Sequence, residues 1–256
     1  MMAGSKAGDV VTCEIGGVSV LLNVDSKVWP GETMSFERWR AESYATKEPD
    51  TIAWIDSFVR EGDVLYDVGA NIGQYGLYAA KRLKGNCRVL AFEPEALNYA
   101  RLNQNVVLNG LSETITGYCL AITDRTGLDY FYVKAFAPGA SLHTYGRPVT
   151  QCEMPFTPKN RQGTMGVSLD DLTRRFGLPF PNHIKVDVDG LEEQVVRGAA
   201  RVLADARLKS VLIEVCMYQD VASRIKNLFF EAGWTLHNAR AIDYTEGKVQ
   251  NLIFTR

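Results

Sequence analysis

Tyr66-Asp67-Val68-Gly69-Ala70-Asn71-Ile72-Gly73 is the stretch whose reading decides the fold. Val64 to Val68 has the content of a buried strand, and Tyr75, Tyr78, Ala79 and Leu83 then fall at helical spacing. A glycine turn between strand and helix lets backbone approach a ligand closely. The helix start offers free N–H groups to a carboxylate or phosphate. Asp67, at the strand's end, suits a ligand amine. Glu93 follows twenty residues after Gly73 and closes the next strand, 88–92. In doubly wound folds an acid at that distance grips a ribose diol, since a carboxylate accepts from both hydroxyls. A dinucleotide site is the rival, with its G-x-G-x-x-G fingerprint. Here Asn71 takes the place of the middle glycine, which normally lets backbone reach a pyrophosphate. Asn71 with Asp67 favours a cofactor carrying an ammonium.

Outward from this turn, strand and helix alternate. A helix from Pro94 to Leu108, with the proline in its first turn, stops at Asn109-Gly110. Strands are predicted at 114–120 and 128–133. Residues 135–163, rich in Pro and Gly, have little periodicity and read as an irregular insertion or lid. Beyond it come a short helix capped by Ser168, a strand at 183–188 and a helical stripe at 191–203. A strand at 210–215, a helix at 221–232 and two final strands, 234–238 and 251–255, complete the chain. Ahead of the turn, 10–15 and 18–22 form a hairpin around Gly16-Gly17, and 33–60 is helical with a break near Pro49. The expected architecture is α/β and doubly wound, with a mostly parallel sheet covered on both faces. Residues 1–60 form a hairpin and helical cover, and 61–256 the ligand-binding domain.

The 256 residues suit one large α/β domain, and a formal net charge of −2 disfavours a general nucleic-acid binder. No apolar run approaches the roughly 20 residues of a membrane helix. The start, Met1-Met2-Ala3-Gly4-Ser5-Lys6, lacks the apolar core of a signal peptide, so a cytoplasmic chain with no membrane partner is expected. Five scattered cysteines without a CxxC read as reduced thiols, and three separated histidines exclude local zinc motifs.

One more stretch carries chemistry. His183, Lys185, Asp187 and Asp189 alternate along one strand and so point to one side. Buried together they need partners; at the strand's carboxyl end they reach a ligand cleft.

With these motifs in view, the chain resembles the class I S-adenosylmethionine-dependent methyltransferases, and within them the FkbM family. The resemblance rests on Asp67 to Gly73, on Phe92-Glu93-Pro94 with Asn98, Asn105 and Asn109-Gly110, on Ser168-Leu169-Asp170-Asp171-Leu172, and on Ile184 to Glu192. It covers roughly residues 48 to 215. It implies a seven-stranded sheet whose last strand is antiparallel. It places the methionine part of the cofactor at Gly69, Ala70, Asn71 and Gly73, the ribose at Glu93, the adenine beside Ala121, and Ser141 near the substrate. The family usually has Glu in place of Asp189, and Ser or Thr in place of Gly76.

Methyl transfer needs alignment of acceptor, methyl and sulfur, and removal of the proton from a hydroxyl acceptor. Asp187 is the first candidate to touch the acceptor or the methionine amine. Lys185 is placed to orient the acceptor or stabilise alkoxide charge. Glu214, ending the strand Val211-Leu212-Ile213, lies at the same sheet edge. His143 is a candidate proton acceptor from the insertion. Asp187, Asp189 and Glu214 give an alternative with a magnesium-like ion, but the preferred reading has no metal. The expected activity is O-methylation of a hydroxyl on a sugar, glycan or natural product, with S-adenosylmethionine as cofactor. Aminopurine methylation is disfavoured, because Asp187-Val188-Asp189-Gly190 replaces the Pro-Pro-aromatic turn of base-amine enzymes. The rivals are an NAD-dependent oxidoreductase and a non-catalytic partner-binding module. The segment before residue 60 covers the active site or a homodimer partner.

Overall fold

The structure is a computed structural model that describes residues 9–25, 28–150, 152, 154–218 and 220–256. Residues 1–8, on which the expectation about a leader rests, lie outside these. The chain opens with β1 (Asp9–Ile15) and β2 (Val18–Val24), an antiparallel hairpin turned by Gly16 and Gly17 at positive φ. Helices α1 (Phe36–Lys47) and α2 (Pro49–Phe58) follow. The Ser35 hydroxyl caps α1 by accepting from Arg38 N, and Pro49 opens α2 where a missing N–H costs least.

The alternating core runs β3 (Val64–Val68), α3 (Gln74–Arg82), β4 (Arg88–Phe92), α4 (Ala96–Leu108) and β5 (Ile115–Tyr118). Then come β6 (Ala121–Ile122), β7 (Gly127–Val133), β8 (Thr144–Tyr145), β9 (Asn160–Val167) and α5 (Leu169–Arg174). The chain ends with β10 (His183–Val186), α6 (Glu192–Arg197), α7 (Ala200–Ala204), β11 (Ser210–Cys216), α8 (Val221–Glu231), β12 (Thr235–Ala241) and β13 (Val249–Thr255).

The central sheet has seven strands in the order β12-β13-β11-β10-β3-β4-β5. Strands β11, β10, β3, β4 and β5 are parallel, and the last strand, β13, runs antiparallel to both its neighbours. Side-chain alternation splits the interior into two cores. Leu65, Val89, Ala91 and Leu212 face one core, which also holds the hairpin, α1 and α2. Tyr66, Val68, Leu90, Phe92, Ile184 and Ile213 face the other, under α6, α7 and α8.

Four expectations are corrected. First, α4 begins at Ala96 rather than Pro94, because Glu95 caps it by accepting from Asn98 N at 2.8 Å. Second, the stripe at 191–203 is two short helices. Gly198 lies so close to the Thr123 carbonyl that a Cβ would stand 2.3 Å from it, and Asp170 caps the second helix through Arg201 N and Val202 N. Third, residues 160–163 belong to β9, which pairs along β7 in a second, four-stranded sheet ordered β6-β9-β7-β8. The exposed, polar start of β9 hides its strand character. Fourth, Cys152 and Cys216 form a disulfide 64 residues apart, tying the insertion to the end of β11. Only the tertiary fold brings the two together. Among the described residues no helix is long and apolar enough to cross a membrane.

Candidate active site

The site lies at the carboxyl edge of β3, β4 and β10, where ligands bind in open α/β sheets. At the end of β3 the backbone turns through Gly69 at φ 79°, and a Cβ there would sit 1.7 Å from the Asp187 carbonyl. Only glycine lets the β3 turn meet the β10 end. Asn71, also at positive φ, donates its N–H to Glu93 Oε2 at 2.8 Å, while Glu95 N donates to Oε1 at 2.9 Å. Each carboxyl oxygen thus has one backbone donor and keeps further lone-pair capacity. Burial pushes the Glu93 carboxyl up to about 8, although both backbone donors oppose it.

These groups border a partly open cleft. Phe92, Leu120, Ala121, Ile122 and Leu191 give it an apolar wall, Glu93 follows, and Gly69, Asn71, Ser141, Asp187 and Asp189 give it a polar end. An apolar ring, a diol and a charged tail fit these surfaces in that order. Residues 139–142 close the cleft from above. Asn71 and Asn98 both donate to the Ala140 carbonyl, at 2.8 and 3.1 Å, and Gly139 N donates to Asn98 Oδ1 at 2.7 Å. Leu142 N donates to Asp189 Oδ2.

Of the cofactor candidates, Gly69, Asn71, Glu93, Ala121 and Asp187 line the cleft; Asp67, Ala70 and Gly73 do not. Gly73 caps α3 with its Cα turned to Leu102. Asp67 points away, toward α3. It accepts from Gly76 N at 3.1 Å and lies 4.0 Å from Lys185 Nζ. The glycine at 76 has a physical reason, because a Cβ there would stand 3.2 Å from Asp67 Oδ2.

Beyond the cleft's polar end lies an ionic cluster. Lys185, 2% exposed, donates to Asp187 Oδ2 at 2.9 Å, and its ammonium stands 4.9 Å from the Tyr75 ring centroid. Burial opposes its charge, but Asp187 and Asp67 outweigh burial and raise its pKa, so Lys185 is an ammonium and no base. Burial likewise works to raise Asp187, yet Lys185 and Lys47 prevail and lower it. The Glu214 side chain, on a residue 7% exposed, makes no hydrogen bond among the described residues. Burial, then the charges of Asp187 and Glu48, push it well above the ordinary range. Oxygens of Glu48, Asp187 and Glu214 lie within 4.8 Å of one another. Glu48 therefore stands where the metal alternative expected Asp189. It already meets Lys47 at 2.5 Å, as Asp187 meets Lys185.

Two histidine expectations change. His183 sits at the amino end of β10, held between Ser210 Oγ and Asp63 Oδ2, and takes no part in the cleft. His143 does line the cleft and is buried. Its Nδ1 accepts from Lys134 N at 3.1 Å, so the neutral ring carries its hydrogen on Nε2, itself buried, and has no free nitrogen lone pair to take a proton. Sequence reasoning missed Arg40, Glu48 and the lid contact of Asn98. Arg40 and Glu48 lie on a polar helical stretch whose buried face has no apolar stripe to reveal it. Asn98 stood among the resemblance motifs, but its partner Ala140 lies 42 residues away.

The family model described as the methyltransferase FkbM domain matches residues 67–234. The hexuronic acid methyltransferase AglP of Haloferax volcanii is 28% identical over 179 residues, 70% of this chain and 66% of that protein. The 31-O-demethyl-FK506 methyltransferase FkbM of Streptomyces tacrolimicus is 29% identical over 181 residues, 61% of this chain and 66% of that protein. The chain thus matches slightly under two thirds of the length of each relative. A solved methyltransferase FkbM from Methylobacillus flagellatus shares the fold, with a TM-score of 0.54 and 15% identity, over 86% of this chain and 53% of that one.

Proposed function

The chain belongs to the FkbM methyltransferase family, whose cofactor is S-adenosylmethionine, and from this premise we propose that it methylates a hydroxyl oxygen on a sugar, glycan or natural product. The observation that carries the reading is the buried Glu93 carboxyl set between an apolar wall and the Gly69–Asn71 turn. Ala121 and its neighbours would hold the adenine, Glu93 the ribose hydroxyls, and Asn71 with Asp187 the methionine end. When bound, the cofactor supplies an electrophilic methyl group on a sulfonium. The chain's residues do the rest. Lys185 fixes Asp187, which orients the acceptor hydroxyl. Glu214 stands beside Asp187, and its carboxylate form is the group that would take the hydroxyl proton, although burial and the charges of Asp187 and Glu48 favour its neutral form. Residues 139–142 exclude water. Relatives named for a hexuronic acid and for a 31-O-demethyl compound support an oxygen acceptor.

The test is calorimetric titration with S-adenosylmethionine and with NAD, followed by transfer of labelled methyl to a panel of sugars and glycans. Binding of S-adenosylmethionine alone, weakened by Glu93→Ala, is expected. Glu214→Gln should keep that binding and lose on the order of 10²–10⁴ in transfer rate. Binding of NAD alone overturns the reading, and label found only on amine acceptors overturns O-methylation.

A further inference from the structure

A disulfide joins the insertion to the parallel sheet, from Cys152 to Cys216 at the end of β11. Around Cys152 the described residues 147–150 and 154–156 bond to one another. Thr150 N donates to the Met154 carbonyl at 2.8 Å and Phe156 N to the Pro148 carbonyl at 3.1 Å, with a bridge between Val149 and Pro155. None of these described residues enters an apolar core. Their attachment to the sheet therefore leans on the disulfide.

A groove lies between this tip and the first turn of α6. Arg147 and Val149 line one side of it, Gly190 and Gln194 the other. Its outer end lies between Thr150, just before Cys152, and Val221, shortly after Cys216. Its inner end meets Leu191, which also lines the cofactor cleft. Asp187 and Asp189, just ahead of Gly190, line that cleft too, so the groove runs toward the place where an acceptor hydroxyl must arrive. Asp129, Arg147 and Gln194 give its walls acceptors and donors, which suit a ligand rich in hydroxyls.

We propose that this groove holds the acceptor beyond its reacting hydroxyl, as a saccharide chain, and that the Cys152–Cys216 disulfide is a redox clasp on its outer wall. The inference rests on the methyltransferase reading. A thiolate of a dithiol attacks the sulfur of half-buried Cys152, and buried Cys216 leaves as a thiolate. The dithiol's second thiolate then displaces Cys152 and closes a cyclic disulfide. Two electrons and two protons pass to the cysteines, and the dithiol is oxidised. Oxidised glutathione reverses the step and becomes two reduced glutathiones. Opening the bond loosens the groove's wall, while Asn71, Asn98 and Asp189 still hold the roof of the cleft. The clasp thus governs the acceptor and spares the cofactor.

The full-length chain is oxidised with oxidised glutathione or reduced with dithiothreitol, beside Cys152→Ser, Cys119→Ser and Arg147→Ala, each first checked by thermal melting. Peptide mass mapping reads the Cys152–Cys216 link, and hydrogen exchange reads the Thr150 and Phe156 amides. In both redox states S-adenosylhomocysteine is titrated, and labelled methyl transfer is measured to the panel of sugars and glycans and to cholesterol. Reduction should speed exchange at Thr150 and Phe156 by about tenfold or more and leave S-adenosylhomocysteine affinity unchanged. For a glycan that is methylated, KM should rise about tenfold with kcat kept. C152S should match the reduced chain in either buffer, C119S should respond as wild type does, and R147A should raise KM without altering exchange. Should C152S not fold, reduction of the wild-type chain carries the comparison. The proposal is overturned if the two cysteines stay unlinked after oxidation, if reduction leaves exchange and KM as they were, or if it weakens S-adenosylhomocysteine as well. Label on cholesterol alone overturns the saccharide. Should nothing be methylated in either state, the methyltransferase reading falls and the acceptor groove with it, while exchange still decides the clasp.

Discussion

Glu93 shows how one side chain can serve a ligand at the expense of the empty fold. Its carboxyl in the folded protein titrates at about 8, above its ordinary 4.5, with burial as the main cause. The native state therefore keeps a proton that the unfolded chain releases. The resulting stability is full below the unfolded pKa and is lost as pH rises through about 8. Glu93→Gln should thus gain stability relative to wild type between pH 5.5 and 8.5, read from urea midpoints. At pH 9, where Glu93 is ionised, the same variant should weaken S-adenosylhomocysteine by ~1.5–3 kcal/mol, because an amide is a poorer acceptor than a carboxylate. Lys185 behaves in the opposite sense. Lys185→Met takes from Asp67 its nearest cation and from Asp187 its ion-pair partner, and ~3–5 kcal/mol of stability should be lost in urea denaturation. At this scale the sequence was readable where chemistry is local. Glu93 and Gly69 are fixed by spacing within one βαβ unit, and both line the cleft. Asp67 was misplaced because its position at a strand end does not reveal which face its side chain takes.

Among the elements, α4 has a double duty. One side packs on the sheet, and from another Asn105 and Asn109 reach the hairpin. Asn105 accepts from Asn23 N at 2.8 Å and donates to the Ile72 carbonyl at 2.9 Å, while Asn109 exchanges hydrogen bonds with the Leu21 backbone at 3.0 and 2.7 Å. The two asparagines imitate a neighbouring strand for β2. Asn105→Ala leaves two buried backbone groups short of a partner and should cost ~1–3 kcal/mol. Hydrogen exchange should locate the change in β1 and β2 and leave β4 protected. The strands of the parallel sheet were legible because alternation between two apolar cores leaves dense β-branched runs. The second sheet was not, since Asn160-Arg161-Gln162-Gly163 carries no such run and β9 owes its existence to pairing with β7.

For the whole molecule, the segment before residue 60 is joined to the rest more closely than a cover. Cys13, Ile15, Leu22, Tyr44, Trp54 and Ile55 share one core with Leu65, Leu77 and Val89, and Trp54 Nε1 donates to Ser210 Oγ at 3.0 Å. The same segment brings Arg40 and Glu48 to the site. A chain reduced to residues 61–256 should lose cooperative unfolding and nucleoside binding together, as circular dichroism and calorimetry can check. The sequence could not announce this, because contacts between segments over a hundred residues apart leave no local period. The Ala140 carbonyl holds a further consequence for the working cycle. It is hooked by Asn71, whose backbone also holds Glu93, and by Asn98. A nucleoside seated beneath residues 139–142 is held under those hooks. Slow release of the spent nucleoside is the expected outcome, read as a first turnover faster than those that follow in rapid-quench kinetics.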